Sequence, residues 1–415
     1  MKSLWKEEHI TLKNGLKATV VYLKGTHSYA CYVGAPVGSL ATTYKINGLN
    51  TPSGIAHFLE HRLFDTPLGD AFELFTSIGC DSNAYTTYQY TTYYFETASS
   101  LIEGIKILLS MTTKLTFDEK SVEKEKPIII EELHMGLDRP NTRLRNGLYK
   151  NLFKEYPLKD EIVGSEESIN LTTLEDLKRV FNAYYSKEKL HLFLIGDVNE
   201  DLLNQIGNIE IEDSSSPFEI EHFEEKDESI VQKESITYMD VPLPLITVGA
   251  KKLDIQKRLE LDNETYEALR EVVSALLFSD SEKLVKDMYK EGLISSPIYG
   301  NILHVENVSI IQLNTSSLKV KEIQNKFVHF FNHIEDYVSE KSVERIINYV
   351  KGSNLYLLDD ISNFAYLIVS NAMRGINYHK EIEALDKINY DLIIRYVKEW
   401  ANAEVSTHII KKESK

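Results

Sequence analysis

Between Ile209 and Glu228 the chain carries nine acids (Glu210, Glu212, Asp213, Glu219, Glu221, Glu224, Glu225, Asp227 and Glu228) against the single base Lys226. The same stretch holds Ser214, Ser215, Ser216 and Pro217 and shows little apolar periodicity, so it has nothing to bury and reads as an exposed linker. A single continuous core across 415 residues is therefore not expected. The chain should fold as two domains of similar size, 1–208 and 235–415, joined by an acidic linker at 209–234. An acidic patch that recruits basic peptides is the functional alternative for this segment, and a solvated connection is the simpler reading.

The linker accounts for about half of the formal net charge of −17, and that balance leaves no basic stripe to wrap nucleic acid. No run approaches the ~18 consecutive apolar residues of a membrane helix. The first residues pass directly into alternating, strand-like sequence without the apolar core of a secretory signal, so a cytoplasmic location is expected. Cys31 and Cys80 are the only cysteines, too few for a disulfide framework, and are expected to be reduced.

Both halves alternate strand and helix patterns. Residues 16–23 follow an Asn14-Gly15 turn and residues 29–33 follow Gly25-Thr26, and both read as strands. Thr51, Pro52 and Ser53 suggest a helix start with a capping hydroxyl and a proline in the first turn. A further helix is expected over 70–78, stopped by Gly79, and then two Tyr- and Thr-rich strands over 82–97 hinged near Gln89. Helices over 100–115, 118–137 and 173–185 precede a strand at 190–195. The second half repeats the mixture, with strands near 245–250, 308–314 and 405–410. There is neither βαβ regularity nor a glycine-rich nucleotide turn. An α+β fold follows, built of layered α/β sandwich domains in which a mixed, largely antiparallel sheet packs against helices.

The chemistry concentrates at His57-Phe58-Leu59-Glu60-His61. On a helix these polar side chains fall at about 0°, 300° and 40°, so two imidazoles and a carboxylate share one face. This is the inverted zinc motif H-x-x-E-H, in which histidines one turn apart bind one ion and the glutamate stands beside its water. A chain of this composition produces the pattern by chance in about 3 of 100 cases. The plainer alternative is a half-buried helix whose histidines bond to backbone. A catalytic zinc site needs a third protein ligand, and Glu125 and Glu132 lie two helical turns apart on one face. One of the two could bind metal while the other orients a ligand histidine; Glu131 points elsewhere.

His57 to His61, then Asn83-Ala84-Tyr85-Thr86 with Thr92-Tyr93-Tyr94-Phe95, and the Glu125 to Glu132 segment followed by Asp138 and Pro140 together resemble the inverted-zinc metallopeptidases of the pitrilysin, insulin-degrading enzyme and mitochondrial processing peptidase family. Gly164-Ser165 with Glu167-Ser168-Ile169, and the strand ending Gly196-Asp197, match the pattern that closes that family's first domain. The resemblance is strongest in the first half and is most similar to a branch of small bacterial members found as paired subunits. It implies two homologous domains, one zinc ion held by His57, His61 and Glu132, Glu60 as general base, and Glu125 as the carboxylate that steadies a ligand imidazole. It implies peptide substrates, bound by main-chain pairing on an edge strand at Asn83 and Ala84.

The second half departs from the family pattern. Self-sufficient members carry an Arg and, seven residues on, a Tyr; here those positions are Met288 and Ser295. The resemblance therefore implies the zinc-bearing subunit of a heterodimer whose homologous partner supplies both groups and closes with it like a clam around a chamber. A self-sufficient homodimer and a non-catalytic scaffold are the alternatives. Pro127 is a second departure, because a proline between Glu125 and Glu132 should kink the helix and could turn Glu125 from the site.

Overall fold

The computed structural model describes residues 5–212, 218–357 and 360–413. In chain order, the elements that build and position the site are β1 (Lys6–Thr11), β2 (Lys17–Tyr22), β3 (Tyr29–Ala35), α1 (Ile55–Arg62), β4 (Asp81–Thr86) and β5 (Thr91–Thr97). They continue with α2 (Glu119–Leu137), α3 (Pro140–Leu152), β6 (His191–Gly196), β7 (Glu234–Tyr238), β8 (Leu245–Leu253) and α4 (Asn263–Phe278). The last are β9 (Tyr299–Val305), β10 (Val308–Ser316), α5 (Glu340–Tyr356), α6 (Ile361–Met373) and β11 (Val405–Lys411).

The first sheet has the order β1-β2-β6-β3-β5-β4, with β2 and β6 parallel and every other pair antiparallel. The second has the order β7-β11-β8-β10-β9, with β7 and β11 parallel and the rest antiparallel. Without β1, the two sheets match strand for strand in order and direction. The fold is a mixed α+β pair of homologous layered sandwiches. Central strands such as β6 (HLFLIG) are buried along nearly their whole length, because helices cover both faces. The edge strand β4 (DSNAYT) is polar and only partly covered.

Two compact units divide the chain: residues 1–134, 160–223 and 357–375 form one, and residues 135–159, 224–356 and 376–415 the other. Relative to the continuous halves 1–208 and 235–415, each unit takes a helix from the other half. Helix α6 joins the first unit, where Phe364 packs edge-on against Trp5 with ring centroids 5.0 Å apart. Gly34 of β3 makes room for it: a Cβ there would stand 2.4 Å from Met373 Sδ. Helix α3 joins the second unit, where Leu144 packs with Val241 and Ile410. An amphipathic helix is stabilised wherever its apolar face finds a sheet, which sequence order alone does not specify.

The acidic segment is not a free connection. Residues Ile220–His222 pair antiparallel with Tyr44–Ile46 in the first unit. In the second unit, Glu228 accepts from Lys252 Nζ at 3.1 Å and from the Leu253 amide at 2.9 Å, and Asn307 Nδ2 donates to the Glu225 carbonyl at 2.9 Å. The acids had cationic partners, Lys251, Lys252 and Arg258, far away in sequence. Ser214, Ser215, Ser216 and Pro217, on which the reading of an exposed linker rested, lie outside the described residues.

The start of α1 also differs from the expectation. Thr51 and Ser53 do not cap it; Thr51 Oγ1 donates to the Tyr44 carbonyl at 3.0 Å, and the cap is Gly54 at φ 81 without a side-chain bond. A Cβ at residue 54 would lie 2.2 Å from the Val163 carbonyl oxygen, so glycine alone admits both this turn and this close approach. Cys31 and Cys80 are buried free thiols. Among the described residues, no helix is long and apolar enough to cross a membrane.

Candidate active site

Helix α1 lies on the face of the first sheet where Leu59, Tyr93 and Phe95 are fully buried, which fixes the direction of its polar face. Helix α2 crosses that face with Glu125 and Glu132. The result is a convergence of three donors: Glu132 Oε1 lies 3.5 Å from His57 Nε2, and Glu132 Oε2 lies 3.2 Å from His61 Nε2. Ligand atoms of His57, His61 and Glu132 fall within 4.8 Å of one another. Two donors each about 2.1 Å from one tetrahedral ion are themselves about 3.4 Å apart, so this set fits a single zinc ion. The His57 and His61 bonds hold the Glu132 carboxyl far below the usual carboxylate range, so it is an anion ready to act as a ligand.

The other side of His61 is also occupied. Its Nδ1 lies 2.9 Å from Glu125 Oε1, and Arg62 donates to the second oxygen of Glu125 while also pairing with Asp65. Burial opposes charging of the His61 ring, but the bonds from Glu125 and Glu132 outweigh it and raise the ring to about 9. Helix α2 runs through Pro127 without interruption from Glu119 to Leu137, so the feared displacement of Glu125 does not occur. The proline only removes one backbone donor.

Glu60 faces the same cleft. Burial pushes its carboxyl above the ordinary value, against the attraction of His57 and the bond from Thr86. Thr86 Oγ1, on the edge strand β4, donates to Glu60 Oε2 at 2.5 Å and stands 3.2 Å from Thr91 Oγ1, which itself donates to the Val37 carbonyl. Each hydroxyl carries one proton, so with both donating outward Thr86 is committed to the carboxylate.

Strand β4 ends the sheet, and its outer edge carries Asn83 and Ala84. Asn83 Oδ1 accepts from the Ala84 amide at 2.8 Å. In the second unit, Met288 is fully buried in the core with Leu284 and Val285, and Ser295 is exposed. Thr86, Arg62 and Asp65 carry interactions at the site that the sequence reading did not single out. Thr86 could have been found by strand alternation, since it shares a face with Ala84 two residues before; Arg62 and Asp65 had no comparable signal.

Two family profiles match the chain: "Insulinase (Peptidase family M16)" over residues 20–166 and "Peptidase M16 inactive domain" over residues 172–350. The "Uncharacterized zinc protease YmfH" of Bacillus subtilis is 31% identical over 295 residues, covering 69% of this chain and 68% of the relative. The "Probable mitochondrial-processing peptidase subunit beta" of Schizosaccharomyces pombe is 28% identical over 206 residues, 48% of this chain and 44% of its own length. Among solved structures, a chain from Alicyclobacillus acidocaldarius described as an M16-like peptidase superposes with a TM-score of 0.88 at 20% identity, with all of both chains covered. At that identity the superposition speaks for the fold alone.

Proposed function

We propose, for a chain that belongs to the insulinase family, peptidase family M16, that it is a zinc metalloendopeptidase acting in the cytoplasm on short or unfolded peptides. The observation that carries this reading is the convergence of His57, His61 and Glu132 beside a buried Glu60 that is tied to an edge strand. His57, His61 and Glu132 would hold one zinc ion, and Glu125 would hold the His61 ring in place from its Nδ1 side. When bound, zinc supplies Lewis acidity that activates water and polarises a peptide carbonyl.

The chain's own groups do the remaining work. An extended peptide would pair with the outer edge of β4 at Asn83 and Ala84, and pairing through the main chain leaves side chains little restricted. Glu60 would accept a proton from the attacking water at its carboxylate and deliver it to the leaving amine. Its raised proton affinity suits both steps, because a carboxylate that held the proton too weakly could not carry it.

The chain would act as the catalytic subunit of a heterodimer. Met288 belongs to the core and Ser295 is a short exposed hydroxyl, so neither position offers the Arg or the Tyr that support substrate and oxyanion in self-sufficient members. A homologous partner would supply them, and one relative is by name a subunit of a processing peptidase.

The test is a mass-spectrometric cleavage assay on a mixed pool of unfolded peptides with the zinc-loaded chain and its Glu60→Gln variant. Cleavage by the wild type alone, with equal zinc content in both, supports the peptidase; equal cleavage by Glu60→Gln eliminates Glu60 as the base. Full zinc content with no cleavage until a homologous second subunit is added supports the heterodimer. Full activity of the homogeneous chain defeats it.

A further inference from the structure

Helix α6 comes from the second half of the sequence but packs on the first sheet, and it carries a tyrosine toward the edge strand. Residues 362, 366 and 370 are spaced one turn apart and form a stripe along one flank of the helix. Ser362 Oγ donates to Glu96 Oε2 at 2.7 Å, and Ser370 Oγ accepts from the Tyr90 hydroxyl at 3.0 Å. The helix therefore runs beside β5 in the opposite direction, with Tyr366 midway. The Tyr366 ring meets Tyr85 of β4, centroids 5.4 Å apart and planes at 48°. Tyr85 is in turn edge-on to Tyr90 and Tyr94 at 6.3 and 6.4 Å.

Phe364, Ala365, Ile368 and Val369 of this helix are buried, whereas Tyr366 keeps 50% of its surface exposed. It does not belong to the core, and it stands beside β4, one of the two strands that end the first sheet and the one that carries Thr86 to Glu60. Tyr85 and Thr86 are successive residues of that strand, so their side chains leave on opposite faces. Thr86 meets Glu60 on one face, and Tyr85 meets Tyr366 on the other. A peptide added along the edge alternates in the same way, and cross-strand neighbours on one face have Cβ atoms ~4.5–5.5 Å apart. The peptide residue opposite Tyr85 thus projects against both rings, one position from the residue that projects toward Glu60.

We propose that Tyr366 and Tyr85 form an aromatic wall that selects a large apolar or aromatic side chain at the substrate residue opposite Tyr85, beside the scissile bond. The proposal rests on the peptidase reading above and adds a specificity determinant to it. Ring contacts of this kind discriminate an aromatic from a glycine by about five- to tenfold.

The experiment pairs two readouts on the full chain loaded with zinc. The first profiles cleavage of a peptide library by the wild type, Tyr366→Ala and Tyr366→Phe. The second measures binding of fluorescent peptides that differ only by Phe or Gly at each successive position, using a Glu60→Gln background with and without Tyr366→Ala. The expected result is a preference for Phe at one position next to the cleaved bond. Tyr366→Ala lowers the Phe-to-Gly ratio of kcat/KM and of affinity about five- to tenfold, and Tyr366→Phe keeps it. Cleavage with a ratio that Tyr366→Ala leaves unchanged overturns the wall and spares the peptidase. Binding that depends on Tyr366 without cleavage, even with the partner subunit, supports the wall and counts against the peptidase. Neither binding nor cleavage overturns both.

Discussion

His61 is gripped from both sides: Nδ1 lies 2.9 Å from Glu125 Oε1, and Nε2 lies 3.2 Å from Glu132 Oε2. Without a metal the raised proton affinity keeps the ring charged; an ion would displace the Nε2 proton, while the remaining Nδ1–H still donates to Glu125. Glu125→Gln keeps the size of this support but offers an amide where Arg62 needs an acceptor. Zinc affinity should fall about 10- to 100-fold, as for other carboxylates that orient a ligand histidine, with little change in melting temperature. Competition with a chromophoric chelator measures it, and unchanged affinity would show that Glu125 serves only as the ion partner of Arg62.

Thr86 predicts a different signature. Its hydroxyl donates to the Glu60 carboxylate, and a bond to a charged group contributes about 1.5–3 kcal/mol. Thr86→Val removes the hydroxyl at nearly constant shape, so kcat should drop about 10- to 100-fold while KM and zinc content hold. Thr86→Ser should restore most of the rate. A loss in KM alone would mean that Thr86 merely shapes the edge strand.

The site was legible where its chemistry repeats at a fixed spacing. His57, Glu60 and His61 are readable because one helical face is set by sequence separation, and Glu125 and Glu132 because seven residues make two turns. Which glutamate meets which nitrogen was not readable, since it depends on how α2 crosses α1. Thr86 and Arg62 act on residues 26 and 63 positions away, and such pairings leave no periodic trace. The same limit hid the partners of the acidic segment: Glu228 looks solvated until Lys252 and the Leu253 amide come beside it. Alternation of strands and helices was readable in both halves. The exchange of α3 and α6 was not, because either sheet offers an apolar face to an amphipathic helix.

Stability should depend on pH through one buried and one half-buried imidazole. Burial lowers His408 from its ordinary 6.5 to about 4, and His191 likewise. His408 is 2% exposed, bonds Ser235 Oγ through Nδ1 at 2.7 Å and lies against Gly147. In the fold it stays neutral, whereas the unfolded chain takes up a proton near pH 6.5. The unfolded state then binds more protons between pH 6.5 and about 4, and stability falls as pH drops through that window. For His408 the full loss is about 3 kcal/mol at most. Urea midpoints measured from pH 7.5 to 4.5 should decline in the wild type and decline less in His408→Gln. Parallel curves would refute the assignment.

The second unit holds a counterpart of the cleft. Glu267, Arg270 and Glu271 on α4 repeat the spacing of His57, Glu60 and His61, and α4 follows β8 as α1 follows β3. Arg270 is buried; its Nη2 lies 2.7 Å from both oxygens of Glu267, and its Nη1 donates to the carbonyl of Ile302 on β9, the strand that corresponds to β4. Beside it, burial pushes the Glu271 carboxyl up to about 7, against the bond from Asn354. The first unit brings together two imidazoles and a carboxylate that could hold a cation, and the second builds a cation into the chain as a guanidinium. Arg270→Met should therefore remove the guanidinium that both Glu267 oxygens face and cost about 3–5 kcal/mol. Adding Glu267→Leu removes the carboxylate that lost the guanidinium and should recover much of that loss, because an ion pair replaced on both sides is often neutral. Urea unfolding of the single and double variants decides it. A single variant as stable as the wild type would mean that Arg270 is a passive filler, and a double variant no better than the single would place the cost in lost packing instead of an unpaired charge.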